Sequence, residues 1–193
     1  MDLRPPQILR AGVLFFFRYT AHQSGAIQRN VTIRKKEVSI PVLPPSVVCR
    51  RVGLKQTDEL IALEETCFET DRIVRRNLRR LLCSPSALCV GALQGKDLLG
   101  SMIVLFRSNS SIARIYSLAV SPQARGRGIG KRMIAKAERE ARPRGCKRLR
   151  LEVRKDNRAA IRLYEQCGFT SSNVLPGYYE DGTDALVFWK ELE

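Results

Sequence analysis

"SPQARGRGIGKRM" at residues 121–133 follows directly on the apolar run "IYSLAV" at 115–120. The passage reads as strand, tight turn and helix. Glycine recurs at 126, 128 and 130 among arginines, and in "KRMIAKAEREAR" (131–142) Met133, Ile134, Ala137 and Ala141 line one helical stripe. The first amides of a helix lack intrahelical partners, and the helix dipole favours negative charge beside them. The glycines keep side chains out of that space, while Arg125, Arg127, Lys131 and Arg132 add positive charge. "GRGIG" does not have the GxGxxG spacing of a dinucleotide fingerprint, nor the Gly-Lys-Ser/Thr ending of a P-loop. Spacing alone leaves two readings open: a cradle for a phosphate or pyrophosphate, or a solvated turn whose glycines act as a joint.

Outward from this segment, strands and helices alternate. "VVCRRVGL" (47–54) reads as a short strand. "QTDELIALEETCF" (56–68) reads as a helix, with Leu60, Leu63, Glu64 and Cys67 on the 3.6-residue period and Thr57 as its cap. "DRIVRRNLRRLL" (71–82) predicts a second helix, with Ile73, Leu78, Leu81 and Leu82 toward a core and five arginines in water. "ALCVGALQGKDLLGSMIVLF" (87–106) predicts a hairpin turning at "QGKD", and "SIARIYSLAVS" (111–121) another strand. In "KRLRLEVR" (147–154), Leu149, Leu151 and Val153 face one way while Arg148, Arg150, Glu152 and Arg154 face the other. "NRAAIRLYEQCGF" (157–169) reads as a helix stopped at Gly168, with Ala160, Leu163, Tyr164 and Cys167 on one side, and "DALVFWKEL" (184–192) as a last strand. The pattern is a central sheet with about four helices against it, of α+β or mixed α/β class. Residues 1–46 differ in composition and read as an N-terminal extension with one short strand near 31–40, ended by "PVLPP"; the main domain is 47–193.

A chain of 193 residues suffices for one sizeable core. Its 34 Lys and Arg against 19 Asp and Glu leave a net charge of +15, which favours anionic partners without choosing among them. His22 is the only histidine, which argues against a His-based triad or a His-containing zinc site, and no metal is expected. Cys49, Cys67, Cys83, Cys89, Cys146 and Cys167 show no ligand-like spacing and read as reduced, mostly packed thiols of a cytoplasmic protein. "AGVLFFF" (11–17) is too short to span a membrane and no convincing cleavage pattern follows it. A nucleic-acid-binding module has the charge but not the pattern, since the arginines are spread over several elements with no exposed aromatic platform.

"LAVSPQARGRGIGKRMIAKAE" (118–138) resembles the acyl-CoA-binding segment of the GCN5-related N-acetyltransferase superfamily, where Arg or Gln precedes two residues, Gly, one residue, and Gly or Ala. Arg125, Gly128 and Gly130 match that pattern, with Gly126 and Arg127 as the variable pair. "LEVRKDNRAAIRLYEQCGF" (151–169) and "GYYEDGTDALVFWKEL" (177–192) resemble, more narrowly, the ribosomal-protein-alanine acetyltransferases. The likeness covers residues 48–192, most strongly from 112 onward. It implies a mostly antiparallel sheet with splayed middle strands and acetyl-CoA as cofactor. Leu118, Ala119 and Val120 would meet the pantetheine and thioester, the segment Arg125, Gly126, Arg127, Gly128, Ile129, Gly130 and Lys131 the pyrophosphate, and Asn157 a further part of the cofactor.

The resemblance also implies catalytic roles: Glu152 relays the amine proton and Tyr164 protonates the leaving thiolate. Tyr178 and Tyr179 would line the acceptor groove. Each position has a plainer reading: Glu152 in a salt bridge with Arg150 or Arg154, Tyr164 as core, Asn157 as a helix cap. The segment "CFETDRIVRRNLRRLL" (67–82) departs from the alanine-specific enzymes, carrying a basic helix preceded by Asp71 where those have a tryptophan-containing entrance. The implied function is transfer of acetyl to a primary amine, foremost the N-terminal α-amine of a protein or peptide, by direct attack in a ternary complex. Lysine side chains or small amines are the alternatives within enzymes, and an acyl-CoA sensor or a nucleic-acid-binding module those outside. The expected form is a monomer or weak dimer, away from membranes, with nucleic acid met only through a ribonucleoprotein substrate.

Overall fold

The computed structural model describes residues 46–193. Apart from Ser46, the expected extension and its strand near 31–40 lie outside the described residues. Seven strands form one sheet: β1 (Val48–Arg51), β2 (Ala87–Gln94), β3 (Asp97–Leu105), β4 (Ile112–Val120), β5 (Arg148–Arg154), β6 (Thr170–Leu175) and β7 (Ala185–Glu191). Their order is β1-β2-β3-β4-β5-β7-β6, and every neighbouring pair is antiparallel except β4–β5. Among the described residues four α-helices accompany the sheet: α1 (Thr57–Cys67), α2 (Arg75–Cys83), α3 (Ile129–Ala141) and α4 (Arg158–Gln166). This is the α+β arrangement expected from the alternation of patterns. Among the described residues no helix is long and apolar enough to cross a membrane.

The sheet buries both faces. Met133, Ile134, Ala137 and Ala141 of α3, with Ala160 and Tyr164 of α4, pack on Val104, Ile115, Leu118, Leu149, Leu151 and Phe188. On the opposite face, Leu60 of α1 and Leu78 of α2 pack with Ile73, Val52, Cys89, Ile103 and Tyr116. The alternation of β5 is therefore literal: Leu149, Leu151 and Val153 enter the α3–α4 core, and the charged residues between them face the α1–α2 side. The hairpin turns at Gly95–Lys96, with Gly95 left-handed at φ 62°.

Two local expectations are corrected, and one strand lies where the sequence pattern assigned none. Thr57 is the first residue of α1 rather than its cap; its hydroxyl donates back to Leu54 O at 2.6 Å, and the capping position falls to Gln56. The second helix starts at Arg75, not Asp71, because Asp71 is left-handed at φ 55° and Val74 is extended. The exposed, polar "TSSNVL" (170–175) carries no buried alternation, yet forms edge strand β6 against β7.

β4 and β5 position the site. They pair only at Ile112↔Arg148, Ala113↔Leu149 and Arg114↔Arg150, and diverge beyond. A register irregularity in the β3–β4 ladder, between Ile103 and Val104, falls opposite Tyr116, just after β4 leaves β5. The sheet thus opens into a cleft along residues 115–120, and the glycine turn stands at its end.

Candidate active site

Beyond Val120 a single 3-10 turn (Pro122–Ala124) leads into the glycines. Gly126 and Gly128 are left-handed, at φ 76° and 73°, and a Cβ on either would meet nothing within 4 Å. These two glycines serve the turn itself and leave its outer side open. Gly130 is different: an added Cβ would lie 2.8 Å from Leu163 Cδ2, so its smallness lets the start of α3 approach α4. The first helical bond of α3 runs from Arg132 N–H to Gly128 O, and the amides of Ile129, Gly130 and Lys131 precede it. They are the orphan donors of the helix start. Arg125 turns inward, its Nε donating to Val120 O at 3.3 Å, and Arg127 donates to Gln94 Oε1 at 2.9 Å. Lys131 is exposed beside the turn.

Across the cleft, α4 carries the next groups. Asn157 caps it, its Oδ1 accepting from Ala160 N–H at 3.0 Å. Its Nδ2 is buried without a hydrogen-bond partner among the described residues. Tyr164 is buried between Phe169 and Phe188, with ring centroids 5.7 and 6.3 Å away. Its hydroxyl has no hydrogen-bond partner among the described residues, and burial pushes its pKa well above the usual phenol value. It stays the neutral, proton-bearing form throughout the physiological range.

On the α1–α2 side, Glu152 is held by two guanidiniums. Its Oε2 accepts from Arg114 Nε at 2.8 Å and lies 2.7 Å from Arg114 Nη2, while Oε1 lies 2.9 Å from Arg150 Nη2. The salt-bridge alternative is present with Arg150, but Arg154 is not a partner. That side chain reaches Asp181 Oδ2 at 2.5 Å, Thr183 Oγ1 at 2.7 Å, Asp156 at 3.3 Å and Asp71 at 3.9 Å. Arg154 thereby ties the α1–α2 connection to the β6–β7 connection. Arg114 Nη2 also donates to the Tyr178 hydroxyl at 2.9 Å. Tyr178 is half-buried; Tyr179 is fully buried, its ring under the Arg154 guanidinium at 4.8 Å.

One buried acid escapes the sequence reading of roles. Glu64 of α1 is only 4% exposed; its Oε1 accepts from Ser117 Oγ and its Oε2 from Ile73 N–H, both at 3.3 Å. Burial, opposed by only two neutral donors, pushes its pKa up to about 7. The helical period placed Glu64 on the inner face, and a carboxylate on an apolar stripe was the signal available. Among the described residues no group of three or more His, Cys, Asp and Glu side chains gathers to hold a metal.

The arrangement fits an acyl-CoA. Orphan amides at the start of α3 suit a pyrophosphate, the open edge of β4 suits an amide-bearing arm, and Asn157 Nδ2 is a buried donor awaiting an acceptor.

Comparison with known proteins agrees. The model of the acetyltransferase (GNAT) family matches residues 56–169. An uncharacterised N-acetyltransferase of Methanocaldococcus jannaschii is 30% identical over 149 residues, covering 75% of this chain and 92% of that one. The ribosomal protein bS18-alanine N-acetyltransferase of Salmonella typhimurium is 39% identical over 78 residues, and the match spans 39% of this chain and 53% of the relative. The crystal structure of the ribosomal-protein-S18-alanine N-acetyltransferase from Escherichia coli superposes with a TM-score of 0.69 at 22% identity, over 77% of this chain and 95% of that one. That last likeness is one of fold.

Proposed function

The chain belongs to the acetyltransferase (GNAT) family, and we propose that it moves the acetyl group of acetyl-CoA to the N-terminal α-amine of a protein or peptide. The observation that carries this reading is the β4–β5 cleft, with a phosphate-fitting helix start at one end and, on α4 beside it, the buried Tyr164 and an Asn157 amide nitrogen that is buried without a partner among the described residues.

In this reading the amides of Gly126–Lys131 take the pyrophosphate, and Leu118, Ala119 and Val120 run alongside the pantetheine arm. Asn157 Nδ2 donates to a carbonyl of that arm. The acceptor enters from the α1–α2 side, between the two connections that Arg154 clasps. The Tyr178 hydroxyl forms its wall and Tyr179 supports that wall from beneath. The amine nitrogen bonds to the acetyl carbon as the carbon–sulfur bond breaks, and the Tyr164 hydroxyl gives its proton to the departing thiolate. Glu152, held at both oxygens by Arg114 and Arg150, orients Arg114 and, through it, Tyr178. The exposed arginines at 72, 75, 76, 79 and 80 favour an acceptor with acidic residues over a cationic small amine.

The test is mass spectrometry of acetyl-CoA reactions with a peptide library holding free N-termini and internal lysines, with Tyr164→Phe as control. Acetyl on N-termini, lost in the control, is the expected result. Acetyl on lysines alone would move the acceptor to a side-chain amine, and transfer to no peptide despite acetyl-CoA binding would overturn the reading.

A further inference from the structure

Two carboxylates face the α1–α2 side of the cleft, and their surroundings are opposite. Glu152 accepts from two cationic side chains, which hold both of its oxygens. Glu64 accepts from a hydroxyl and a backbone amide, and no salt bridge among the described residues reaches it. Its hydroxyl partner, Ser117, sits beyond the last β4–β5 pair at Arg114 and immediately before Leu118, on the stretch that borders the cleft. The groups around Glu64 are Cys67 on its own helix and Tyr116 on β4. Arg80 of α2, Arg114 and Tyr178 act on Tyr116, and Arg125 acts on Cys67.

We infer that Glu64 is the terminal acceptor of the amine proton, reached through the Ser117 hydroxyl. The inference rests on the acetyl-transfer reading above and names the proton path of that same site. As the carbon–nitrogen bond forms and the carbon–sulfur bond breaks, the N–H proton passes to Ser117 Oγ while the Ser117 O–H proton passes to Glu64 Oε1. The thiolate takes its proton from Tyr164. Glu64 then gives its proton to water and the Tyr164 phenolate takes one back, which restores both residues with no net change; the single proton released per turnover is the one the ammonium form of the acceptor loses before attack. A base is most effective when its pKa lies near the working pH, and Glu64, held at about 7, meets that condition. Glu64 is a positioning residue for this path in the sense that it acts on the amine only through Ser117.

The experiment is a pH profile of kcat and kcat/KM for wild type, Glu64→Gln, Ser117→Ala and Glu152→Gln, on whichever peptide the wild type acetylates best. Gln at 64 preserves the fold contacts, since its carbonyl accepts from Ile73 N–H and its amide donates to Ser117 Oγ. The expected result is a fall in kcat of roughly 100-fold for Glu64→Gln and Ser117→Ala in mildly alkaline buffer, with KM for acetyl-CoA unchanged. The slope of log kcat/KM on the acid side should drop by about one in Glu64→Gln, because one of two protons (the other is the amine's own) no longer counts. Glu64→Gln with wild-type kcat and slope, alongside an inactive Glu152→Gln, overturns this path and leaves the acetyl-transfer reading standing. A wild type that acetylates no amine overturns both.

Discussion

Arg114 grips Glu152 across the parallel pair at the point where β4 and β5 part, with Nε and Nη2 at 2.8 and 2.7 Å from the same carboxylate oxygen. Arg150 closes the other oxygen at 2.9 Å. The carboxylate is 4% exposed and the two arginine side chains 30% and 36% exposed, so water can partly compensate the cations if the anion is lost. Glu152→Gln should therefore cost about 1–3 kcal/mol, less than the about 3–5 kcal/mol of breaking a fully buried pair. Urea unfolding reads the stability. KM for the acceptor peptide should rise more than KM for acetyl-CoA, because Arg114 also orients Tyr178.

Tyr164→Phe separates a chemical from a packing role. The ring fills its place between Phe169 and Phe188 in either form, and the hydroxyl satisfies no partner among the described residues. Stability should change by less than about 1 kcal/mol, while kcat falls roughly 100-fold or more. A variant with wild-type kcat would make Tyr164 core and nothing else.

The glycines of the turn should respond unequally. At Gly128, held at φ 73°, alanine should cost about 1–2 kcal/mol of backbone strain and raise KM for acetyl-CoA. At Gly130 the clash is with the tip of a flexible leucine, and alanine regains about 1 kcal/mol of helix propensity, so stability should stay near wild type. Thermal melts with and without acetyl-CoA distinguish the two positions; equal losses at both would contradict this division of roles.

Glu64 should leave a mark on stability as well as on rate. Its folded pKa, about 7, lies above the ordinary carboxylate value of 4.5, so the folded state binds the proton more tightly than the unfolded chain. The stabilisation is full below 4.5 and is lost as pH rises through about 7. It amounts to about 3 kcal/mol across that window. Wild type should lose this much as the buffer is taken from pH 4.5 to above 7, and Glu64→Gln should not. Parallel pH dependences of the two, measured by denaturant unfolding, would remove Glu64 as the titrating group.

The elements were legible where a periodic apolar pattern was carried by buried residues. Leu149, Leu151 and Val153 showed the face of β5, and Met133, Ile134, Ala137 and Ala141 that of α3, because each pattern is the imprint of one core. Strand β6 was not legible because an exposed edge strand needs no alternation; its backbone bonds to β7 suffice. The start of α2 was missed because Ile73 is anchored by Glu64 rather than by helical periodicity.

The sequence by itself determined the alternation of strands and helices, the glycine turn before α3 and the residues that resemble an acyl-CoA site. These are local matters, settled by side-chain period, by the left-handed backbone that glycine permits and by the unpaired amides of a helix start. Only the tertiary structure decided what the charged residues do. Glu152 meets Arg114 from 38 positions away, Glu64 meets Ser117 from 53, and Arg154 meets Asp181 from 27. Such partners are chosen by strand register and by which helix covers which face, and the ionisation of a carboxylate follows from whether that packing brings it guanidiniums or leaves it among neutral donors.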